Sequence, residues 1–268
     1  MQSIILWGGM PALLKALKKV PVRNLPWRKT RDPYKILVSE IMLQQTQVYR
    51  VVLFYTRFIK QFPTAQALAK APLSKVLKAW QGLGYNRRAV YLHQTAKLLS
   101  SAELLSKKSS GLPSRAALSG AASRARLFSQ EVAAPRLPGV GPYTAAAVEA
   151  FAYNKPSIFI ETNIRTVFLH FCFRSNVLQN VRIRDKEILP LVEQALKKSK
   201  MPPREFYWAL MDLGAQLKKQ GIKLNSKSAH YTKQSKFEGS PRQKRAARLR
   251  ALLASGASEK ELQKVLNS

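Results

Sequence analysis

The sequence predicts an all-α protein, and three observations carry that prediction. Strand signals are nearly absent, since the one β-branched and aromatic run, Ser157-Ile158-Phe159-Ile160, is short. Elsewhere apolar residues recur at helical spacing. Helix start and stop signals, a capping residue followed by Pro or a Gly after the last apolar position, punctuate the chain.

The opening MQSIILWGGMPALLKALKKV reads as a first helix with a ragged start. It is not read as a signal peptide, because no basic region precedes its apolar stretch and no small-residue cleavage site follows. Asp32-Pro33 is an N-cap with Pro at the first helical position, and Ile36, Leu37 and Ile41 keep an apolar face. Thr46 is placed to cap the next helix, whose inner side carries Val48, Val51, Val52, Tyr55 and Ile59, and Pro63 ends it. Pro72 opens another helix, closed by Gly82 and Gly84. Asn86 to Leu105 reads as a long basic helix. Residues 106–136 are rich in Ser, Ala and Arg with weak periodicity and read as a partly helical insertion. Helical pattern resumes over Tyr143–Tyr153, Thr162–Phe173, Asp185–Lys198 and Pro203–Lys218. A polar, basic stretch, Lys219 to Gly239, precedes two short closing helices, Pro241–Leu253 and Ser258–Leu266.

Composition narrows the function. Lys and Arg number 46 against 14 Asp and Glu, a net +32 over 268 residues. Such a surface repels itself unless a polyanion neutralises it, and nucleic acid is the first candidate partner. The charge is also local: Lys218 to Arg250 holds eleven Lys/Arg against Glu238 alone. The single cysteine, Cys172, excludes an internal disulfide framework, a zinc finger and a four-cysteine iron–sulfur site. His93, His170 and His230 are scattered, so no metal site is expected. No segment reaches the run of about 20 apolar residues that spans a bilayer, so a cytoplasmic, nucleoid-associated protein without membrane contact is expected.

Three local features point to chemistry. In Leu137-Pro138-Gly139-Val140-Gly141-Pro142-Tyr143-Thr144, two glycines let the backbone turn tightly just where a helix begins. The N–H groups at that helix start can grip a phosphate without reading sequence. Glu40 lies in the otherwise apolar stretch Val38–Leu43, and Glu161 follows an apolar run and precedes a helix. A buried carboxylate is costly unless paired or protonated, and one acid plus one carboxylate is the equipment for cleaving a glycosidic bond. Gln44, Gln45 and Gln47 cluster between two helices, and amide side chains can hydrogen-bond base edges.

Together, VSEIMLQQTQV at 38–48, WQGLGY at 80–85, LPGVGPYTAAAV at 137–148, ETNIRTV at 161–167 and FYWALMDLGA at 206–215 resemble the helix–hairpin–helix DNA glycosylases, and within them the MutY-like adenine glycosylases. The resemblance implies two all-helical lobes with DNA against the cleft between them. It assigns residues 1–31 and 154–217 to one lobe and 32–153, with the 106–136 insertion, to the hairpin lobe; 218–268 is left as a basic C-terminal extension. It implies that Glu40 protonates the adenine ring, that Glu161 stabilises the sugar cation and that Asn163 is its polar neighbour. Gln44 and Gln45 would enter the duplex, Tyr85 would intercalate, and Trp27 and Arg28 would contact the adenine. Gly139, Val140, Gly141 and Thr144 would hold the DNA backbone.

The sequence departs from the family in four places. Position 161 is Glu where the family has Asp. Tyr143 occupies the position at which bifunctional relatives carry a Schiff-base Lys, so no lyase step is expected. The cysteines that follow DLGA in the family are replaced by Lys218-Lys219 and a basic tail, so no iron–sulfur cluster and no other cofactor are expected. From the length, the separate domain with which the family inspects 8-oxoguanine is not expected. The expected function is a monomeric, monofunctional glycosylase that removes adenine opposite 8-oxoguanine or G from double-stranded DNA. The alternatives are a thymine or uracil mismatch glycosylase and a catalytically impaired DNA-binding homologue.

Overall fold

The computed structural model describes residues 9–108, 137–233 and 235–267, so most of the 106–136 insertion lies outside the described residues. Within them the protein is built from thirteen α-helices and two 3-10 turns, with an isolated bridge between Ile183 and Ser228 in place of any sheet. No helix among the described residues is long and apolar enough to cross a membrane. The chain forms two compact units, one of Met1–Asn24 with Glu149–Lys233, the other of Leu25–Val148 with Gln234–Ser268. The division therefore falls a few residues earlier than the sequence suggests at both boundaries. The stretch expected to be one C-terminal extension is shared between the two units.

The second unit holds α2 (Pro33–Leu43), α3 (Val48–Gln61), α4 (Ala65–Lys70), α5 (Leu73–Trp80) and α6 (Arg87–Lys108). The Asp32 side chain caps α2 by accepting from Tyr34 N at 2.9 Å, as its position before Pro33 predicts. The cap of α3 is Gln47, not Thr46, whose hydroxyl instead donates to the Gln44 carbonyl at 3.2 Å. The sequence reading passes over α4, which Thr64 caps by accepting from Ala67 N at 3.1 Å. Phe58, Phe62 and Trp80 form an aromatic core, with ring centroids 4.9 Å (Phe58–Phe62) and 5.7 Å (Phe58–Trp80) apart. This core seats the wholly apolar face of α2, in which Leu37, Val38, Ile41 and Met42 are fully buried.

The same unit closes with α7, α12 and α13. Helix α7 (Pro142–Tyr153) starts at the glycine turn here and ends in the other unit. Helices α12 (Pro241–Ala254) and α13 (Glu259–Asn267) pack on each other and on α5. They bury Leu249, Leu253, Leu262, Val265 and Leu266, each of which contributes about 1.5–3 kcal/mol on burial. Arg87 donates to the Leu266 carbonyl at 3.0 and 2.7 Å and fastens the end of α13. The closing helices are thus an integral part of this unit.

The first unit is organised around α8 (Thr162–Cys172), with α1 (Gly9–Lys19), α10 (Asp185–Ser199) and α11 (Pro203–Lys219) against it and the short α9 (Arg174–Leu178) after it. Ile164, Val167, Phe168 and Leu169 of α8 are fully buried, as are Leu13, Ile188, Val192, Phe206 and Leu210 on the helices around it. Gly214 sets the spacing of α8 and α11, because a Cβ there would lie 2.4 Å from the Asn163 carbonyl oxygen. The strand-like run Ser157–Ile160 is not helical, and among the described residues it pairs with no strand. Phe159 stacks on Tyr207 at 3.9 Å, and the Tyr207 hydroxyl donates to the Ser157 carbonyl at 2.8 Å. Its apolar side chains pack on a helix, which explains why a β-prone sequence forms no sheet.

Candidate active site

In the second unit, Glu40 sits near the end of α2 and is 4% exposed. Its burial follows from the sequence, since Val38, Ser39, Ile41 and Met42 around it are apolar or small and are buried with it. The hydroxyl of Tyr143, from the first turn of α7, donates to Glu40 Oε2 at 2.9 Å. One turn on from Glu40, Gln44 Nε2 makes a long contact, 3.5 Å, with the hydroxyl of buried Thr144. The sequence-predicted residues Glu40, Gln44, Tyr143 and Thr144 are therefore brought together, although about 100 positions separate the two pairs. Gln45 follows in the left-handed region, φ 53°, and is exposed.

The glycine turn that opens α7 has the expected character. Gly139 has φ 72°, and a Cβ there would meet Tyr91 Cβ at 2.7 Å, so only glycine fits. Val140 N bonds the Leu137 carbonyl at 3.1 Å to close the turn. Gly139 and Gly141 are exposed and Val140 is half-buried. The hairpin backbone is thus accessible to a ligand.

Arg88 organises this end of the unit. It is 7% exposed, and its Nη1 donates to the carbonyls of Ile41 and Met42, both at 2.9 Å, and to that of Gln44. Its Nη2 reaches the Thr46 hydroxyl at 3.1 Å and the Gly84 carbonyl at 3.0 Å. The guanidinium therefore satisfies the orphan carbonyls at the end of α2 and joins them to the turn that carries Tyr85. Burial lowers the Arg88 pKa to about 10. Tyr85, with φ 50°, lies beneath two guanidiniums, Arg88 at 5.3 Å and Arg242 at 5.2 Å from the ring centroid. Arg242, on α12, also donates to the Tyr85 hydroxyl. No local signal marks Arg88 or Arg242, because each finds its partners through tertiary packing. Trp27 is 7% exposed, edge-on to Tyr55 at 5.4 Å, and Arg28 beside it is half-buried.

In the first unit, Glu161 is the N-cap of α8. Its Oε1 accepts from Asn163 N at 2.7 Å and Ile164 N at 3.0 Å, and its Oε2 from Asn163 Nδ2 at 3.2 Å. Arg165 pairs in bidentate fashion with Asp185 at 2.8 and 2.7 Å and so does not serve as the partner of Glu161. Lys218, expected to open a DNA-facing basic tail, is half-buried and donates to Asn163 Oδ1 at 2.8 Å. Among the described residues no three His, Cys, Asp or Glu side chains gather as a metal site. The residues that follow DLGA do not fit an iron–sulfur cluster, which needs thiolates: the chain's one cysteine is Cys172, buried in α8.

The chain is similar to known proteins. The family model described as HhH-GPD superfamily base excision DNA repair protein matches residues 38–190, which hold Glu40, the glycine turn and Glu161. The adenine DNA glycosylase of Buchnera aphidicola subsp. Baizongia pistaciae is 34% identical over 196 residues, 72% of this chain and 48% of that protein. The adenine DNA glycosylase of Mycobacterium tuberculosis is 34% identical over 200 residues, 72% of this chain and 56% of that protein. The chain thus spans about half the length of these relatives. The solved structure of a thermostable thymine-DNA glycosylase aligns with a TM-score of 0.55 and 26% identity, covering 83% of this chain and 94% of that one. A match over more than half of the chain, on the segment that carries both carboxylates and the hairpin, means that the protein belongs to the HhH-GPD superfamily of base excision DNA repair proteins.

Proposed function

We propose that the protein is a monofunctional DNA glycosylase that binds duplex DNA and hydrolyses the N-glycosidic bond of mispaired adenine. The observation that carries this reading is the buried Glu40 carboxyl, held by Tyr143 beside the hairpin. Relatives named adenine DNA glycosylase, at 34% identity, support the choice of base.

The chemistry follows from the groups present. A base inside a duplex is out of reach, so the nucleotide is flipped into a pocket, at a cost of a few kcal/mol. Glu40 acts as general acid toward a ring nitrogen and makes the base a better leaving group. Positive charge then develops on the deoxyribose, and the Glu161 carboxylate stabilises it. Water completes the hydrolysis, leaving free adenine and an abasic site. Tyr143 offers a hydroxyl where a lyase needs an amine, so the strand is left intact. The excess of Lys and Arg supplies affinity through phosphates. No iron–sulfur cluster takes part.

A second reading, thymine or uracil excision from a mismatch, is favoured by the likeness to a thymine-DNA glycosylase. Single-turnover excision on duplexes with A opposite 8-oxoguanine, A opposite G, and T or U opposite G separates the two. The proposed function requires release of adenine, and release of only thymine or uracil favours the second reading.

A further inference from the structure

Lys218 occupies the last turn of α11, three residues past the Asp-Leu-Gly-Ala segment. A lysine there could extend into solvent, as the neighbouring Lys219 does. Instead it is half-buried and donates to Asn163 Oδ1 at 2.8 Å. The approach is enforced from below, because Gly214 lets α11 close on Asn163, where a Cβ would stand 2.6 Å from the Asn163 Cβ.

The donor and acceptor inventory then fixes the amide. An ammonium group only donates, so the carboxamide oxygen of Asn163 must face Lys218. The amide NH2 is thereby turned toward Glu161 and donates to Oε2 at 3.2 Å. With Oε1 held by two backbone N–H groups, both oxygens of the Glu161 carboxylate are fixed. Without Lys218 the amide oxygen loses the donor that holds it, and the side chain is free to swing its NH2 group away from the carboxylate. Arg165 cannot substitute, since it is engaged by Asp185. Burial is the main influence lowering the Lys218 pKa, and the negative charge of Glu161 opposes it.

We propose that Lys218 is a positioning residue for Glu161, acting through the side chain of Asn163. The proposal rests on the reading of Glu161 as the carboxylate that faces the sugar cation. It gives the extra methylene of Glu161 a counterpart, because the longer side chain is held at both oxygens.

The test compares wild type, Lys218→Met and Lys218→Arg in single-turnover excision, duplex affinity and thermal unfolding. It adds the affinities for duplexes bearing a cationic pyrrolidine or a neutral tetrahydrofuran abasic analogue. Lys218→Met is expected to slow excision about 10–100-fold, the scale of a misplaced reacting group. Its affinity for intact duplex stays within about threefold, and the preference for the cationic analogue shrinks. Lys218→Arg recovers part of both losses, and Lys218→Met adds nothing in an Asn163→Ala background. If wild type prefers the cationic analogue and Lys218→Met keeps that preference, the proposal is overturned, whether or not stability has changed. If wild type itself shows no such preference and excises no base, the reading of Glu161 fails first, and the proposal with it.

Discussion

Tyr143 donates its hydroxyl to Glu40 Oε2 at 2.9 Å, joining the first turn of the hairpin helix to the buried end of α2 across 103 positions of sequence. Glu40 is held in place and largely enclosed, as a proton donor to a bound base requires. Glu40→Gln preserves the volume and is expected to abolish base release while duplex affinity changes by no more than a few fold. Tyr143→Phe removes one hydrogen bond to the carboxyl and is expected to lower the unfolding free energy by about 0.5–1.5 kcal/mol. Excision by Glu40→Gln at the wild-type rate would remove this residue from the mechanism.

Glu161 is both a helix cap and the second proposed carboxylate, and two substitutions separate these roles. Glu161→Ala removes the cap of α8 and should lower stability by about 1 kcal/mol. Glu161→Gln retains an acceptor for Asn163 N and Ile164 N, so thermal stability should change little, while excision should fall by orders of magnitude. Glu161→Asp should keep measurable activity. Unfolding and single-turnover rates measured together decide between the roles, and a fully active Glu161→Gln would leave only the cap.

The basic charge of α12 predicts a salt effect. Lys244, Arg248 and Arg250 are exposed, while Leu249 and Leu253 hold the helix in the unit. Neutralising the three together should weaken binding to matched and mismatched duplexes alike. Each lost phosphate contact should reduce the slope of log K against log salt by about 0.9. Truncation before α12 should instead destabilise the unit, because it uncovers α5. An unchanged slope in the neutralised variant would make α12 purely structural.

Cys172 is 4% exposed, and burial raises its thiol from 9.0 to about 11. The folded protein therefore binds this proton more tightly than the unfolded chain. The stability this contributes is fully present below pH 9.0 and is lost as pH rises through about 11. Thiol reagents at neutral pH should label Cys172 only on unfolding, and Cys172→Ala should flatten the alkaline part of the stability curve. Purified protein should show no visible absorption from an iron–sulfur centre. Rapid labelling of the native protein, or stoichiometric iron, would contradict this account.

Much of the fold was legible because helix punctuation is local. Asp32-Pro33, Pro72 and the glycines of the hairpin each act within one turn, and the structure follows them. The buried setting of Glu40 was readable from the apolar run around it, and the pairing of a short extended run with the α8 cap placed Glu161. What escaped was tertiary. Arg88 takes carbonyls from α2 and from the Gly84 turn, and Arg242 finds Tyr85 at 157 positions' separation. Lys218 looked like the start of a basic tail because charge density says nothing about which way a single side chain points. The fate of 235–267 was hidden for the same reason: its apolar residues are sparse and recognisable as core only once α5 supplies their partner.

The role proposed for Glu40 in the release of adenine is open to direct measurement. Free base is quantified in a single turnover on a duplex with A opposite 8-oxoguanine, for wild type and Glu40→Gln. Wild type is expected to release stoichiometric adenine and to leave an intact abasic strand, cleaved only after alkali, and Glu40→Gln is expected to release no adenine. Tight duplex binding by wild type with no adenine released, or equal release by both proteins, would contradict it.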